Sequence, residues 1–183
     1  TLVWQRQTQG RSLTATERTL ARRAIVTSDN DATSRLWSII GRGAGLTRFL
    51  SAAGMTTTRV SPTGAWGLTQ IRATDQVRLL RQLSDGPLLG SAQRGYVLGL
   101  MRAVTSSQRW GATAGAPAGA TIAVKNGWLP RRTAGWRINS IADIRTATRH
   151  YAVVVLSDRN PSMTTGIRRI EAIARAANRA LAV

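Results

Sequence analysis

The stretch Thr121-Ile122-Ala123-Val124-Lys125-Asn126, followed by Gly127-Trp128-Leu129-Pro130, is where the apolar spacing of this chain changes from helical to extended. A loop of Gly, Ala and Pro over 111–120 leads into it. Residues 121–126 read as a strand, and 136–144 and 151–157 as two more, joined by short polar connections that predict antiparallel pairing. After Asn160-Pro161-Ser162 the period returns to 3.6, with Ile167, Ile170, Ile173, Ala174 and Ala177 on the apolar face of a long terminal helix.

Everything upstream is helical in pattern. Thr14 and Glu17 have the form of a capping box that starts a helix over 15–26. Thr27-Ser28-Asp29-Asn30 is a cluster of turn-forming residues, after which Ala32, Leu36, Trp37 and Ile40 recur at helical spacing. Gly41, Gly43 and Gly45 predict a break before another helix at 44–53, which Gly54 closes. Residues 55–72 read as a long loop rich in Thr, Gly and Pro. Thr74 and Asp75 then begin a helix carrying Val77, Leu79, Leu80 and Leu83, and Ser91 is expected to cap the next, with Tyr96, Val97, Leu100, Met101 and Val104 buried. The glycines complete no phosphate-loop or dinucleotide pattern.

The order is α+β: a helical subdomain over 1–118, then antiparallel strands and a C-terminal helix packed on the sheet over 119–183, carried as one domain of 183 residues. Three strands and one helix make a thin sheet, with one face and one edge left to water. Leu2-Val3-Trp4 already read as a buried helical stripe next to Thr1. Both features lead us to expect that further strands and a helix of the fold lie upstream of Thr1.

Composition narrows the function classes. Hydrophobic residues are 43% of the chain and charged residues 19%, which excludes disorder. No apolar run approaches the roughly 20 residues that span a bilayer. Cysteine is absent and His150 is the only histidine, so we expect no metal site and no cofactor. The net charge of +18 raises nucleic acid as a partner, but the arginines are scattered, with never more than two adjacent and no basic–aromatic alternation. An anionic cell-envelope polymer or lipid surface suits the same charge.

Of the 26 basic residues, 25 are arginine and Lys125 is the single lysine. A compact ammonium on a flexible stem fits a narrow polar site, or shifts its pKa on burial, where a guanidinium does neither. Survival of one lysine through compositional drift accounts for it equally.

Ser28-Asp29-Asn30 between two helices and Lys125-Asn126-Gly127 at the end of a strand resemble the second and third motifs of the penicillin-binding protein and serine beta-lactamase superfamily. The order of elements resembles the class A beta-lactamase and DD-peptidase fold. The stretches 27–36, 66–80, 108–111, 124–130, 136–141 and 156–163 resemble actinobacterial secreted members of that superfamily.

The resemblance implies definite roles. Ser28 relays a proton to the leaving nitrogen, and Asn30 bonds the substrate amide. Asp29 faces inward as a structural hydrogen-bonding group. Lys125 holds Ser28 and draws the substrate carboxylate. Gly127 leaves room for a peptide-like or beta-lactam ligand along the strand edge, beside Asn126 and Trp128. Asn126 stands where the family has threonine or serine, and an amide cannot relay a proton as a hydroxyl does. The resemblance also implies export, as a secreted or envelope protein or a lipoprotein.

Two departures bear on activity. The first motif, S-x-x-K, supplies the acylated serine and its activating lysine. It is absent here, because the one lysine is Lys125 and Ile122 stands three positions before it. In the family it lies further upstream of S-D-N than the 27 residues preceding Ser28. The second is that no Asp or Glu occurs between Asp31 and Asp75, where class A enzymes carry the deacylating glutamate. The expectation is a ligand-binding relative that is catalytically silent as this chain. The alternative is part of an active serine hydrolase whose nucleophile precedes Thr1. Trp110, Trp128 and Trp136 fit either a sugar-stacking groove or core packing. His150 with Asp143 or Asp158 imitates a Ser-His-Asp set, although a hairpin turn residue is the simpler reading.

Overall fold

Thr14 opens the helix whose start its side chain predicts. Its hydroxyl accepts from the Glu17 amide at 3.1 Å, and the Glu17 carboxylate accepts from the Thr14 amide at 2.9 Å. This α2 (Ala15–Val26) follows α1 (Leu2–Thr8), and then come α3 (Asn30–Ile39), α4 (Arg42–Ala52), α5 (Ala73–Ser84) and α6 (Ser91–Arg102). The computed structural model describes residues 1–181, so the last two residues of the expected 1–183 and 119–183 spans lie outside the described residues. The chain divides into two compact units, Thr1–Leu100 and Met101–Val183.

In the first unit α2 and α3 pack through Leu20, Ala24 and Ala32, with Leu36 against them. A second cluster joins Phe49, Leu50, Ala53 and Met55 to Trp4, Leu46, Val60, Leu79 and Leu88. The break before α4 is narrower than the three glycines suggest. Gly41 alone lies between helices, left-handed at φ 84°, while Gly43 and Gly45 belong to α4. A β-carbon at Gly45 would sit 1.7 Å from the Ile40 carbonyl oxygen, so backbone approach rather than chain breaking requires the glycine. Ser91 is the first residue of α6 rather than its cap, and the Gly90 carbonyl accepts from the Arg94 amide at 3.0 Å.

The second unit is a three-stranded antiparallel sheet, β1 (Thr121–Arg131), β2 (Gly135–Arg145) and β3 (His150–Asn160), with β2 central. The strands run several residues beyond the predicted spans. Gly127 and Pro130, which lie beyond the expected strand end at Asn126, are both paired to β2, as a strand at the edge of the described sheet tolerates. One sheet face carries α7 (Met163–Leu181), where Ile138, Ala142 and Ile144 are fully buried with Ile170 and Ala174. Ile173, expected on the apolar face of α7, is 56% exposed, and Asn178 takes a buried position instead. In α5, Val77 likewise faces solvent while Asp75 is buried.

Segment 101–120 belongs with the sheet although it carries no strand. Asn178 donates to the Ala112 and Ala114 carbonyls at 3.1 and 2.8 Å and accepts from the Tyr151 hydroxyl at 3.1 Å. Composition changes near 118 because the strands begin there, and compactness divides near 100 because of these bonds.

Candidate functional site

Ser28, Asp29 and Asn30 form the turn between α2 and α3 in the first unit. The α2 carbonyl of Arg23 accepts from the amides of Thr27 and Asp29, both at 3.2 Å, and from the Thr27 hydroxyl at 2.9 Å. Ser28 adopts φ 55°, a left-handed backbone conformation uncommon for a residue with a side chain. Asp29 then caps α3, its Oδ1 accepting from the Ala32 amide at 2.8 Å. Its Oδ2 accepts from Arg23 Nε and Nη2 at 2.8 and 2.5 Å. The Ala32 amide, then the Arg23 guanidinium, hold the Asp29 carboxyl below its ordinary range. Ser28 is half-buried, and Asn30 is exposed at the first position of α3.

Lys125, Asn126 and Gly127 lie in mid-strand on β1, an edge strand among the described residues. The pleat separates them, with Lys125 and Gly127 on one face and Asn126 and Trp128 on the other. Burial lowers the Lys125 pKa to about 8, and its ammonium donates to the Asn126 carbonyl at 3.0 Å. A β-carbon at Gly127 would meet nothing within 4 Å. Among the described residues no packing demands that glycine.

Asn126 is buried, and its amide nitrogen donates to the carbonyls of Gln108 and Trp110 at 2.8 and 3.0 Å. Its Oδ1 is enclosed without a hydrogen-bond partner. Trp110 and Trp128 lie against one another, ring centroids 5.9 Å apart and tilted by 57°. The contact of segment 108–110 with β1 was not legible in the sequence, because the bonds run from a side chain to carbonyls of residues without regular structure. Trp136 pairs across to Asn160, whose side chain donates to the Trp136 carbonyl at 3.0 Å.

The loop after α4 closes on itself. Arg59 and Gln70 exchange backbone hydrogen bonds at 2.9 and 2.8 Å, which gives an Ω-shaped segment between them. Ser61 and Thr63 hydroxyls bond each other within it, and Trp66 donates to Ser34 at 3.1 Å. No carboxylate belongs to this loop. Asp75, just beyond it, is fully buried and anchors it, accepting from the Thr57 amide and hydroxyl and the Thr58 hydroxyl at 2.8–2.9 Å and from Arg78 at 2.7 Å. Burial by itself would raise the Asp75 pKa, and the threonine and Arg78 donors together override it and hold the carboxyl well below the carboxylate range.

His150 opens β3 and bonds Asp143 at 2.7 Å, with Arg145 at its other ring nitrogen. No three His, Cys, Asp or Glu side chains among the described residues cluster as metal ligands, and no helix there is long and apolar enough to cross a membrane.

The family model described as the beta-lactamase enzyme family matches residues 2–181. Among solved structures, an ancestral class A beta-lactamase is 27% identical with a TM-score of 0.74, over 90% of this chain and 65% of its own. A beta-lactamase from Burkholderia vietnamiensis is 24% identical with a TM-score of 0.75, over 88% of this chain and 61% of its own. PBP-A, solved as an acyl-enzyme complex with penicillin G, is 22% identical with a TM-score of 0.75, over 88% of this chain and 60% of its own. These last two share the fold. The chain therefore spans about 65% of the length of the ancestral enzyme it matches. No curated protein matches it. With the S-D-N turn between α2 and α3, the K-N-G strand, and a family match running from residue 2 to residue 181, the chain belongs to the beta-lactamase enzyme family.

Proposed function

We propose that this chain binds a peptide-like or beta-lactam ligand along the β1 edge without being acylated by it. The observation that carries the reading is the open space at Gly127 on an edge strand, next to the single lysine. A ligand strand paired to that edge is flanked by both faces of β1. Lys125 supplies a cation for the ligand carboxylate on one side, and Trp128 and the bound Asn126 form the other. Ser28 and Asn30 carry the hydroxyl and amide of the family's second motif. Silence in catalysis follows from the residues present, which include no S-x-x-K and no acid between Asp31 and Asp75. The wider setting is a secreted or envelope-associated protein that meets peptidoglycan-like ligands, and its positive surface suits an anionic envelope polymer.

The lowered Lys125 pKa fixes a direction with pH. Below about 8 the ammonium is charged, and above it the cation is lost, so affinity for an anionic ligand falls as pH rises through that value. Titration of this chain with benzylpenicillin by NMR at pH 6.5 and pH 9.5 tests this. Tighter binding at the lower pH, lost on Lys125→Met, is expected, and pH-independent binding defeats the reading. Intact mass after prolonged incubation distinguishes the alternative, a serine hydrolase whose S-x-x-K precedes Thr1. This chain remains unmodified under our proposal, whereas an adduct on a longer chain carrying that motif supports the enzyme.

A further inference from the structure

We infer that the end of the sheet where the β1–β2 turn meets the close of β3 is a docking surface for an anionic polymer with one phosphodiester per repeat, held by Arg131, Arg132, Arg137, Arg159, Arg168 and Arg169. The inference rests only on the reading above that an envelope polymer is a partner, and is independent of the ligand at the β1 edge. All six arginines belong to the second unit. They are scattered in sequence, and strand pairing brings them to one end. Arg131 faces Gly135 across the turn, and Trp136 faces Asn160. Between that pair and the pair Ile138 with Ser157, the single residue Arg137 stands opposite two, Asp158 and Arg159, which makes a bulge. A β-carbon at Gly135 would lie 2.5 Å from the Asn160 carbonyl oxygen, so the turn is drawn directly onto the end of β3. Asn160, fully buried, adds α7 to the same end, its Oδ1 accepting from Arg169 at 3.1 Å.

Strain and unneutralised charge separate this end from an ordinary solvated basic surface. Arg159 has φ 53°, a left-handed conformation that glycine adopts without cost, yet a long cation stands there. Over 127–139 and 156–170 the one acid is Asp158. Among the described residues it pairs with no cation, and none of the six arginines pairs with a carboxylate. Five of the six are exposed and Arg137 is half-buried. Like charges gathered in this way repel one another until an anion lies among them.

The spread of the charge selects the partner. Arginines carried on β1, its turn, β3 and α7 cover about 10 Å of sheet width, two strand spacings, which suits successive phosphates of a chain better than a single ion. A lipid surface takes up apolar side chains beside the cations. The exposed large apolar residues Ile39, Val77, Ile173 and Leu181 lie in other helices or beyond the first two turns of α7.

The test measures binding of poly(glycerol phosphate) to the full chain by calorimetry over a range of salt, beside phosphatidylglycerol vesicles and single-stranded DNA at equal phosphate. We expect poly(glycerol phosphate) to bind most tightly. Arg131→Gln with Arg132→Gln is compared with Arg22→Gln with Arg35→Gln, which removes the same charge from exposed positions of the first unit. The first double variant weakens binding about tenfold and makes the salt slope shallower by about 1 to 2, whereas the second changes affinity by less than about twofold. Arg159→Gly lowers affinity about threefold while the thermal midpoint does not fall, because glycine takes that backbone conformation freely. No binding of the polymer overturns the inference, as does tighter binding to the vesicles or to the DNA. Equal losses in the two double variants overturn it as well, since net charge alone then explains the binding. A lower midpoint in Arg159→Gly with unchanged affinity does the same, because it makes that arginine structural. The ligand at the β1 edge is read separately with benzylpenicillin, whose binding or failure to bind leaves these outcomes unaltered.

Discussion

The two units solve the same problem with a different balance of chemistry. Each must tie irregular backbone to its regular elements, and the first does so with three carboxylates beside glutamine amides, the second mainly with asparagine amides. In Thr1–Leu100, Glu17 joins the α2 cap to Arg6, Asp29 joins α2 to α3, and Asp75 joins the 57–58 backbone to α5. In Met101–Val183, Asn126 holds 108–110, Asn178 holds 112–114, and Asn160 gathers the Trp136 carbonyl, the Ser157 hydroxyl and Arg169. A carboxylate accepts several donors at once but responds to acid. An amide both donates and accepts, and does not titrate in the physiological range. Carboxylates serve in the second unit too, where Asp143 bonds His150 and Glu171 accepts from the Gly111 amide.

The largest effect expected is at Asp75. Asp75→Ala leaves the buried Thr58 hydroxyl and the half-buried Thr57 amide and hydroxyl without that acceptor, and we expect a loss of about 3 kcal/mol in urea unfolding followed by the helical signal. Acid sharpens the same contrast. The Asp75, Glu17 and Asp29 carboxyls all lie below their ordinary values in the folded chain. Their stabilisation is complete above the unfolded carboxylate pKa of about 4 and declines as pH falls below it. Helical NMR signals from residues 1–100 are therefore expected to disappear at a higher pH than those of the sheet. Simultaneous loss would break the comparison.

A smaller effect belongs to the amide side. Asn178→Ala removes two donors from the Ala112 and Ala114 carbonyls and the acceptor of the Tyr151 hydroxyl, at an expected cost of about 2 kcal/mol in denaturant unfolding that does not grow between pH 7 and pH 4. Ile173→Gln is the smallest. At 56% exposed the side chain contributes little burial, and the midpoint is expected to shift by less than the equivalent of about 0.5 kcal/mol. A large loss there would mean that the outer face of α7 is covered.

The elements legible in the sequence are those whose cause is local. The Thr14–Glu17 box marks α2 because both halves of the cap lie within four residues. The strand order was equally readable, though not the strand lengths, because Gly127 and Pro130 carry local preferences that pairing with β2 overrides. Ile173 and Asn178 exchanged expected places for a related reason. Periodicity locates a face but does not say which polar residue finds partners when buried there. The S-D-N and K-N-G letters were visible, but the alternation that sets Lys125 and Gly127 apart from Asn126 and Trp128 was not, because the strand was expected to end at Asn126 and pairing with β2 carries it on through Arg131. The Arg23–Asp29 grip was not, since it spans six residues across a helix end and exists only once the turn has formed. Asp75 resembled a helix-start acid, and its threonine donors come from 17 and 18 residues away.

Gly127 has a practical consequence. Its backbone lies outside the left-handed region, a β-carbon there meets only open space, and the chain contains no cysteine. Gly127→Cys would place one reactive thiol, unique in the protein, along the β1 edge without displacing a neighbour. A fluorophore or spin label attached there turns the strand edge into its own reporter, able to register the arrival of any occupant by changes in colour or mobility before its chemistry is known.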